Sequence, residues 1–176
     1  MKRLIKIWLI LLALSVVLPG PASEPLFAAT ATSSFTVQAS VAASCTISTA
    51  ALNFGSYDPV VANATTPLDA NGSVTVSCSK GAVTTIGLNQ GANPATGSTA
   101  LDPLRQMANG SERLRYDLYQ TAAGTGVWGG IGTANVKSYT ATSKAPVTFT
   151  IFGRIPENQD VATGSYSDTV TATISF

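Results

Sequence analysis

Apolar and polar residues alternate through the C-terminal stretch of the chain, residues 166–176. The even positions carry apolar side chains, with the exception of Asp168, and every odd position carries Ser or Thr. Because successive side chains of a β-strand point to opposite faces, this period of two predicts a strand with one buried face. The residues of that face are Tyr166, Val170, Ala172, Ile174 and Phe176.

The same alternation occurs near the other end of the chain, in residues 34–41. Polar residues (Ser, Thr or Gln) stand between the apolar ones, which predicts a second strand with one apolar face. The apolar residues of this second strand are Phe35, Val37, Ala39 and Val41.

Four further stretches predict strands between these two, because they are rich in β-branched and aromatic residues: 74–78, 83–88, 114–119 and 147–155. Asn-Gly pairs and glycine clusters separate them, as expected of turns. The residues after the first 31 show no helical period of useful length. Short strands joined by turns favour an all-β fold, an antiparallel β-sandwich of about seven strands.

The first 31 residues have the organisation of a signal peptide. Three basic residues precede an almost wholly apolar run over residues 7–18, and Ala29-Thr30-Ala31 has the A-x-A form of a cleavage site. A membrane anchor is the alternative, but a helix over this run would span about 18 Å, against about 30 Å of hydrocarbon. We therefore expect export, with cleavage after Ala31, or alternatively after Ala28 or Ala29.

Export bears on the two cysteines, because disulfides persist in oxidising compartments. Cys45 and Cys78 are then expected to form a structural disulfide, which chain entropy alone would make worth about 3–4 kcal/mol. A reactive thiol pair is the alternative. It would lack the CxxC spacing, and Lys80 is its only basic neighbour.

Composition excludes several classes of chemistry. The absence of His rules out Ser-His-Asp and Cys-His catalysis and His-ligated metals, and two Cys are too few for a four-cysteine zinc or iron–sulfur site. Charged residues make up 11% of the chain, against roughly 25% in soluble domains. The net charge of +1 gives no field that would attract nucleic acid. We expect a protein that is not an enzyme and that takes no cofactor, metal, nucleic acid or small-molecule substrate.

The remaining motif matches favour structural roles. Residues 124–129 satisfy GxGxxG, but no helical pattern follows to bind a phosphate at its N-terminus. Residues 77–80 satisfy SxxK, yet they lie on a predicted strand without the partner motifs of penicillin-binding enzymes. Trp128 is expected to anchor its glycine-rich loop by packing, with a surface contact as the alternative. Arg113 and Arg115 alternate with apolar residues, which predicts an exposed strand face.

The two terminal strands raise a question of pairing. The strand that ends at Phe176 would leave a bare apolar edge, and such edges aggregate unless they are covered. The segment before Cys45 is free to pair with its own domain or to insert into the next molecule. Insertion would add a strand to a neighbouring sheet, and because the donor and acceptor patches differ, the contact would be head-to-tail and would build an open filament.

Several short stretches follow one another in a characteristic order along the chain. They are 43–47 (ASCTI), 52–57 (LNFGSY), 72–78 (GSVTVSC), 114–119 (LRYDLY), 128–129 (WG), 151–156 (IFGRIP) and 164–176 (GSYSDTVTATISF). Together they resemble the spore coat protein U domain family, which includes the pilin subunits of archaic chaperone–usher fimbriae. The resemblance covers essentially the whole chain after the leader.

The resemblance implies an incomplete immunoglobulin-like antiparallel β-sandwich that is completed by a donor strand. Residues 32–42 would be the N-terminal donor-strand extension and residues 43–176 the pilin-like domain, with Cys45 and Cys78 as its disulfide. The donor-strand residues would be Phe35, Val37, Ala39 and Val41, and the residues flanking the acceptor groove would be Val170, Ala172, Ile174 and Phe176.

The resemblance also implies two assembly partners, a periplasmic chaperone and an outer-membrane usher. We therefore expect a structural subunit of a secreted surface fibre that supports adhesion or biofilm formation and joins neighbouring copies or related pilin subunits. The sequence leaves open whether the product is a fimbria or a coat. The alternative function is a self-complemented monomeric coat or ligand-binding module, whose N-terminal strand folds back on its own sheet. An exported hydrolase is a third hypothesis, which rests on no positive feature.

Overall fold

The computed structural model describes residue 20 and residues 27–176. The predicted leader, residues 1–31, lies mainly outside the described residues. Internal contacts divide the chain after Ala39, and the second unit, Ser40–Phe176, holds all the strands that are described. The described part contains no helix that is long and apolar enough to cross a membrane.

The second unit is built from β-strands that pair only in the antiparallel sense, and no helix occurs among the described residues. The predicted all-β antiparallel fold is therefore confirmed. The strands are β1 (Cys45–Ala50), β2 (Leu68–Cys78), β3 (Val83–Leu88), β4 (Arg105–Asn109), β5 (Glu112–Tyr119), β6 (Lys137–Thr140), β7 (Val147–Ile155) and β8 (Ala172–Ser175).

The strands form two sheets around one hydrophobic core. The larger sheet has the order β1-β2-β7-β5-β4 and the smaller one the order β6-β3-β8. Alternate residues of β2, such as Val74 and Val76, are buried together with Ile86 and Leu88 of β3. Because both sheets contribute to the same buried cluster, the architecture is a β-sandwich.

Strand β2 begins at Leu68, well before the predicted start at residue 74, and it includes the Asn71-Gly72 pair that was expected to form a turn. Gly72 pairs with Ile151 inside the ladder between β2 and β7. A Cβ added to Gly72 would lie 3.0 Å from the Cβ of Leu52. The glycine is thus required by the close passage of the segment that follows β1, and the turn prediction was wrong at this point.

Three strands of the structure are absent from the prediction, namely β1, β4 and β6, and the two terminal strands differ from it in extent. The C-terminal alternation forms a regular strand only at Ala172–Ser175, and residues 34–41 form no strand. The alternation in exposure nevertheless persists from Tyr166 to Ile174, where even positions are half-buried and odd positions exposed.

Trp128 has the packing role that its loop predicts. Its side chain is buried in the core, and its Nε1–H donates a hydrogen bond to the carbonyl oxygen of Ile86 at 2.9 Å. Its backbone N–H bonds to the carbonyl oxygen of Leu118 at 2.8 Å. Trp128 therefore joins the loop to the smaller sheet through its indole and to the larger sheet through its backbone, and the GxGxxG stretch around it leads into no helix.

Candidate functional site: the seam between β1 and β8

Strands β1 and β8 contact each other, yet they belong to different sheets. Each is the outer strand of its sheet: β1 pairs with β2, and β8 pairs with β3. No hydrogen-bonded ladder joins the two within the described residues. We call this opening the β1–β8 seam and define its walls as Ile47 of β1 together with Val170, Ala172 and Ile174. An unpaired strand edge is a template to which another strand can be added.

The apolar residues of the β1–β8 seam are only half covered. Ile47, Val170, Ala172 and Ile174 all pack against the core while remaining partly exposed. Phe176, at the end of β8, is 57% exposed. The seam is thus an apolar surface continuous with the core, and a side chain placed in it would be removed from water together with these residues.

The hydrogen-bond pattern of β8 shows which backbone groups are free at the seam. The N–H of Asn89 donates to the carbonyl oxygen of Thr171, and the same ladder pairs Thr173 with Gly87 and Ser175 with Thr85. Because N–H and C=O groups of alternate residues point to opposite sides of a strand, the groups of Ala172 and Ile174 point away from β3. The open edge therefore offers the backbone groups of the same residues whose side chains face the core.

Asp168 closes one end of the seam with polar contacts. Its carboxylate accepts a hydrogen bond from the hydroxyl of Tyr116 at 2.6 Å, and it also accepts from the backbone N–H of Ala92 at 2.9 Å and the side-chain amide of Asn93 at 3.0 Å. Burial, together with the bond to Asp168, raises the pKa of Tyr116, so the phenol stays a donor. Asp168, the polar residue that interrupts the apolar face of residues 166–176, is therefore held in place by hydrogen bonds and marks the end of the apolar seam.

The disulfide lies at the other end of the seam. Cys45, the first residue of β1, is bonded to Cys78, the last residue of β2, as predicted. Ile174 packs against the small cluster around this bond, which includes Ala82 and Ala141. The apolar C-terminal stretch therefore follows the polar contacts of Asp168, and Ile174 near its other end packs beside the disulfide.

The predicted donor segment forms neither helix nor strand and exposes its apolar residues. The exposed fractions are 87% for Phe35, 82% for Val37 and 90% for Val41, and Ala39 is exposed as well. Apolar side chains in such a regular series gain free energy on burial, at roughly 25 cal/mol per Å². The segment thus exposes the apolar face of a strand without being paired to a sheet of the domain.

The predicted donor segment is fixed where it enters the domain. The N–H of Ser79 donates to the carbonyl oxygen of Ser44 at 2.8 Å, and the hydroxyl of Ser79 donates to the carbonyl oxygen of Ala42 at 3.4 Å. Together with the disulfide of Cys45, these bonds tie residues 42–45 to the end of β2. Val41 is consequently the last residue of the segment before its anchored root.

Two carboxylates of the domain, those of Asp69 and Asp58, are held in structural contacts. Arg154 makes a paired hydrogen bond to the carboxylate of Asp69, at 2.7 and 2.8 Å, which lowers the pKa of Asp69. The backbone N–H groups of Val60 and Val61 bond to Asp58 and lower its pKa as well. A general acid in hydrolysis needs a raised pKa, so neither carboxyl has the properties that the hydrolase hypothesis requires.

One surface cleft of the domain is smaller than a usual ligand pocket. A cleft of about 220 Å³ lies beside Tyr119, Phe152 and the ion pair of Asp69 with Arg154, below the roughly 300–1,000 Å³ usual for ligand pockets. Across residue 20 and residues 27–176 there is no group of three or more His, Cys, Asp or Glu residues placed to hold a metal ion. Arg113 and Arg115 are exposed on β5, as the sequence predicts.

The sequence indicated one side of the seam better than the other. It singled out Val170, Ala172 and Ile174, which the structure brings together on one wall, and Phe176, which lies exposed at the end of that wall. It did not single out Ile47. The apolar residues Cys45 and Ile47 stand two positions apart between Ser and Thr, so the same period-two signal was present, but over too short a stretch to be decisive.

Comparisons with known proteins bear on what this arrangement does. A profile of the Spore Coat Protein U domain matches residues 31–173. The chain belongs to this family. Within it, the chain is similar to Protein U of Myxococcus xanthus, with 40% identity over 163 residues that cover 88% of this chain and 90% of that protein. The family resemblance predicted from the sequence is thereby confirmed.

A solved structure shows a related fold. The domain is similar to a chain in the crystal structure of the CsuC–CsuE chaperone–tip adhesion subunit pre-assembly complex from archaic chaperone-usher Csu pili of Acinetobacter baumannii. The TM-score is 0.54 and the identity is 22%, over 77% of this chain. The match spans 40% of the length of that chain, so the likeness is one of domain fold.

Proposed function

We propose that the protein is a structural subunit of a secreted surface fibre that assembles by the chaperone–usher route through donor-strand exchange. In this proposal the N-terminal segment 32–42 of one subunit fills the β1–β8 seam of the next. The proposal rests mainly on the presence of two features in one chain. One is an apolar seam with an unpaired strand edge, and the other is an exposed segment with an apolar face. The family membership and the domain fold support it.

The energetics of the exchange favour assembly. Full burial of a Val or Phe side chain contributes about 1.5–3 kcal/mol, and the segment offers Phe35, Val37 and Val41, with Ala39 adding less. The backbone groups of Ala172 and Ile174 would gain hydrogen-bond partners on the added strand. Because the donor and acceptor surfaces differ, one contact leaves a free donor and a free seam at the two ends, so growth continues.

The same open seam explains the partners that we propose. An exposed apolar edge invites aggregation before the next subunit arrives, so a periplasmic chaperone would have to cover it. An outer-membrane usher would then exchange the chaperone for the donor segment. The leader of residues 1–31 would deliver the chain to that compartment, and the disulfide suits it. The proposed role is one of assembly, adhesion or biofilm formation, without catalysis or cofactor.

Deletion of residues 32–42 from the exported protein tests the proposal. We expect polymers to disappear from the cell surface while the chaperone-bound monomer accumulates at its normal level, because the seam is unchanged and the donor is gone. The measurement is immunoblotting of unheated surface and periplasmic fractions. Normal polymer ladders from the deletion variant would overturn donor-strand exchange.

A matched pair of point variants makes the test specific to one face of the segment. Val37→Asp should weaken assembly strongly because a charge in an apolar groove is costly, whereas Gln38→Asp places the same charge on the opposite face and should assemble as the parent does. Equal loss in both variants would show that net charge, rather than insertion, controls assembly. A protein that elutes as a stable monomer, with residues 32–42 protected from protease without a partner, would instead support the self-complemented module.

A further inference from the structure

We infer that the donor segment occupies the β1–β8 seam in a single register, antiparallel to β8. This inference rests on the proposed donor-strand exchange and specifies which residues meet. In this register the facing pairs are Val41 with Val170, Ala39 with Ala172, Val37 with Ile174, and Phe35 with Phe176.

The backbone geometry of β8 determines whether odd- or even-numbered residues of the donor segment lie opposite Ala172 and Ile174. Ala172 and Ile174 present their N–H and C=O groups to the open edge and their side chains to the core. In an antiparallel pair, residues directly opposite each other place their side chains on the same face of the sheet. The residues opposite Ala172 and Ile174 must therefore be odd-numbered members of the donor segment, because its even-numbered residues from 32 to 40 are Ser, Thr or Gln. A shift by one residue would turn the entire apolar face out of the seam.

The direction follows from the two ends of the seam. Every strand pair in the domain is antiparallel, and the antiparallel arrangement brings Phe35 to the end where Phe176 is 57% exposed. Facing aromatic side chains stabilise a strand pair beyond the area they bury. A parallel strand would instead carry Phe35 toward the polar end at Asp168.

Asp168 excludes a shift of two residues toward the start of β8. That shift would place Val41 opposite Asp168. The carboxylate there is held by Tyr116, Ala92 and Asn93 and cannot move aside without leaving these donors unpaired. The fourth apolar side chain would then meet a polar group instead of Val170.

The anchored root of the donor segment excludes a shift of two residues in the other direction. That shift would place Val41 opposite Ala172 and residue 43 opposite Val170. Residues 42 and 44 are held by Ser79 of the donor's own domain, so they could enter a neighbour's seam only by releasing both bonds. One register is left, in which Val41 is the last inserted residue and Ala42 is the first that belongs to the donor's body.

Engineered disulfides test the register directly. Residues opposite each other in a hydrogen-bonded antiparallel pair have Cα atoms about 5.5 Å apart, which suits a disulfide, whereas diagonal neighbours are about 7–8 Å apart, which does not. The test pair is Ala39→Cys with Ala172→Cys in one subunit, because both residues are small. The shifted controls are Ala39→Cys with Val170→Cys and Ala39→Cys with Ile174→Cys, and each single variant serves as a control for folding and assembly.

The expected result is a ladder of covalent oligomers from the 39–172 pair on a heated, non-reducing gel, which collapses to monomer when reductant is added. The shifted pairs should leave the protein almost entirely monomeric on the same gel. A ladder from a shifted pair would overturn the register while leaving donor-strand exchange intact. Surface polymers that form no cross-link with any of the three pairs would overturn this register together with both shifted ones, and the deletion of residues 32–42 would then decide on the exchange itself. The pair Val37→Cys with Ile174→Cys provides an independent second measurement of the same register.

Discussion

Arg105 is buried, which is unusual for an arginine. Its side chain is fully buried on β4, and its guanidinium donates to the carbonyl oxygens of Asn89 at 2.9 Å, Leu88 at 3.0 Å and Trp128 at 2.7 Å. Burial lowers its pKa to about 10, which leaves it charged at neutral pH. The residue therefore acts as a clamp that joins β4 to the end of β3 and to the loop of Trp128.

Removal of this clamp should cost more than removal of an exposed arginine. Arg105→Ala leaves carbonyl oxygens without donors and a cavity in their midst, so we expect a loss of about 3 kcal/mol or more in the free energy of unfolding. Arg105→Met, which keeps much of the volume and buries no charge, should lose less. Arg113→Ala, on the exposed face of β5, is the control and should lie within about 0.5 kcal/mol of the parent. Urea unfolding measures all three, and parental stability of Arg105→Ala would contradict the clamp.

At the scale of elements, the larger sheet is held on its outer face by a cross-strand ion pair. Asp69 of β2 and Arg154 of β7 are register partners, and their paired hydrogen bond lowers the pKa of Asp69. A carboxyl whose pKa is lowered on folding adds stability above its unfolded pKa, about 3.9, and loses that contribution as the pH falls through the folded value. The pair is partly exposed, so its contribution is small.

Acid unfolding should reveal this pair. We expect the melting temperature of the parent to fall as the pH drops below about 4, and the fall to be shallower in Asp69→Asn, which has no proton to gain at that position. Asp160→Asn is the matched control, since Asp160 is exposed and takes part in no ion pair within the described residues. Thermal unfolding from pH 7 to pH 2 measures the difference. Identical profiles for Asp69→Asn and the parent would show that the pair contributes nothing.

The strands that the sequence predicted are those rich in β-branched or aromatic residues. Strands β5 and β7 combine this composition with length, whereas β3 is no longer than the missed β1 and was located by its composition alone. Strand β4 was missed because its innermost residue, Arg105, reads as polar although it is buried. Strand β6 spans only Lys137–Thr140, too short for a period to be visible.

The site could be predicted only in part, because periodicity reveals only residues that are close in sequence. The alternation of apolar and polar residues indicated Val170 to Ile174 and the residues of the predicted donor segment, since each set lies within one continuous alternating stretch. The roles of Ile47 and Ser79 depend on contacts between residues far apart in sequence, such as the bond from Ser79 to Ser44. Local periodicity carries no information about these contacts, so the root of the donor segment became visible only in the fold.

At the scale of the whole molecule, we expect the domain to gain stability when a strand from another molecule fills the β1–β8 seam. A synthetic peptide of residues 32–42 added to the protein without its leader should raise the melting temperature by several degrees. Binding at a hundredfold excess over Kd contributes about 2.7 kcal/mol. The same peptide with Val37→Asp is the control and should have little effect. An equal shift with both peptides would mean that the stabilisation does not come from an apolar face in the seam.

In the proposed fibre, the disulfide at the root of the donor segment would also define a path for mechanical load. A fibre under tension would pull each subunit through residues 42–44, and force applied there to β1 alone would peel an outer strand from its sheet one hydrogen bond at a time. Cys45 instead transmits the pull through a covalent bond to Cys78, at the end of β2, which is an interior strand between β1 and β7. Tension would thus enter the sheet along a strand with neighbours on both sides, where many hydrogen bonds resist in shear together, and the edge strand beside the seam would carry little of it.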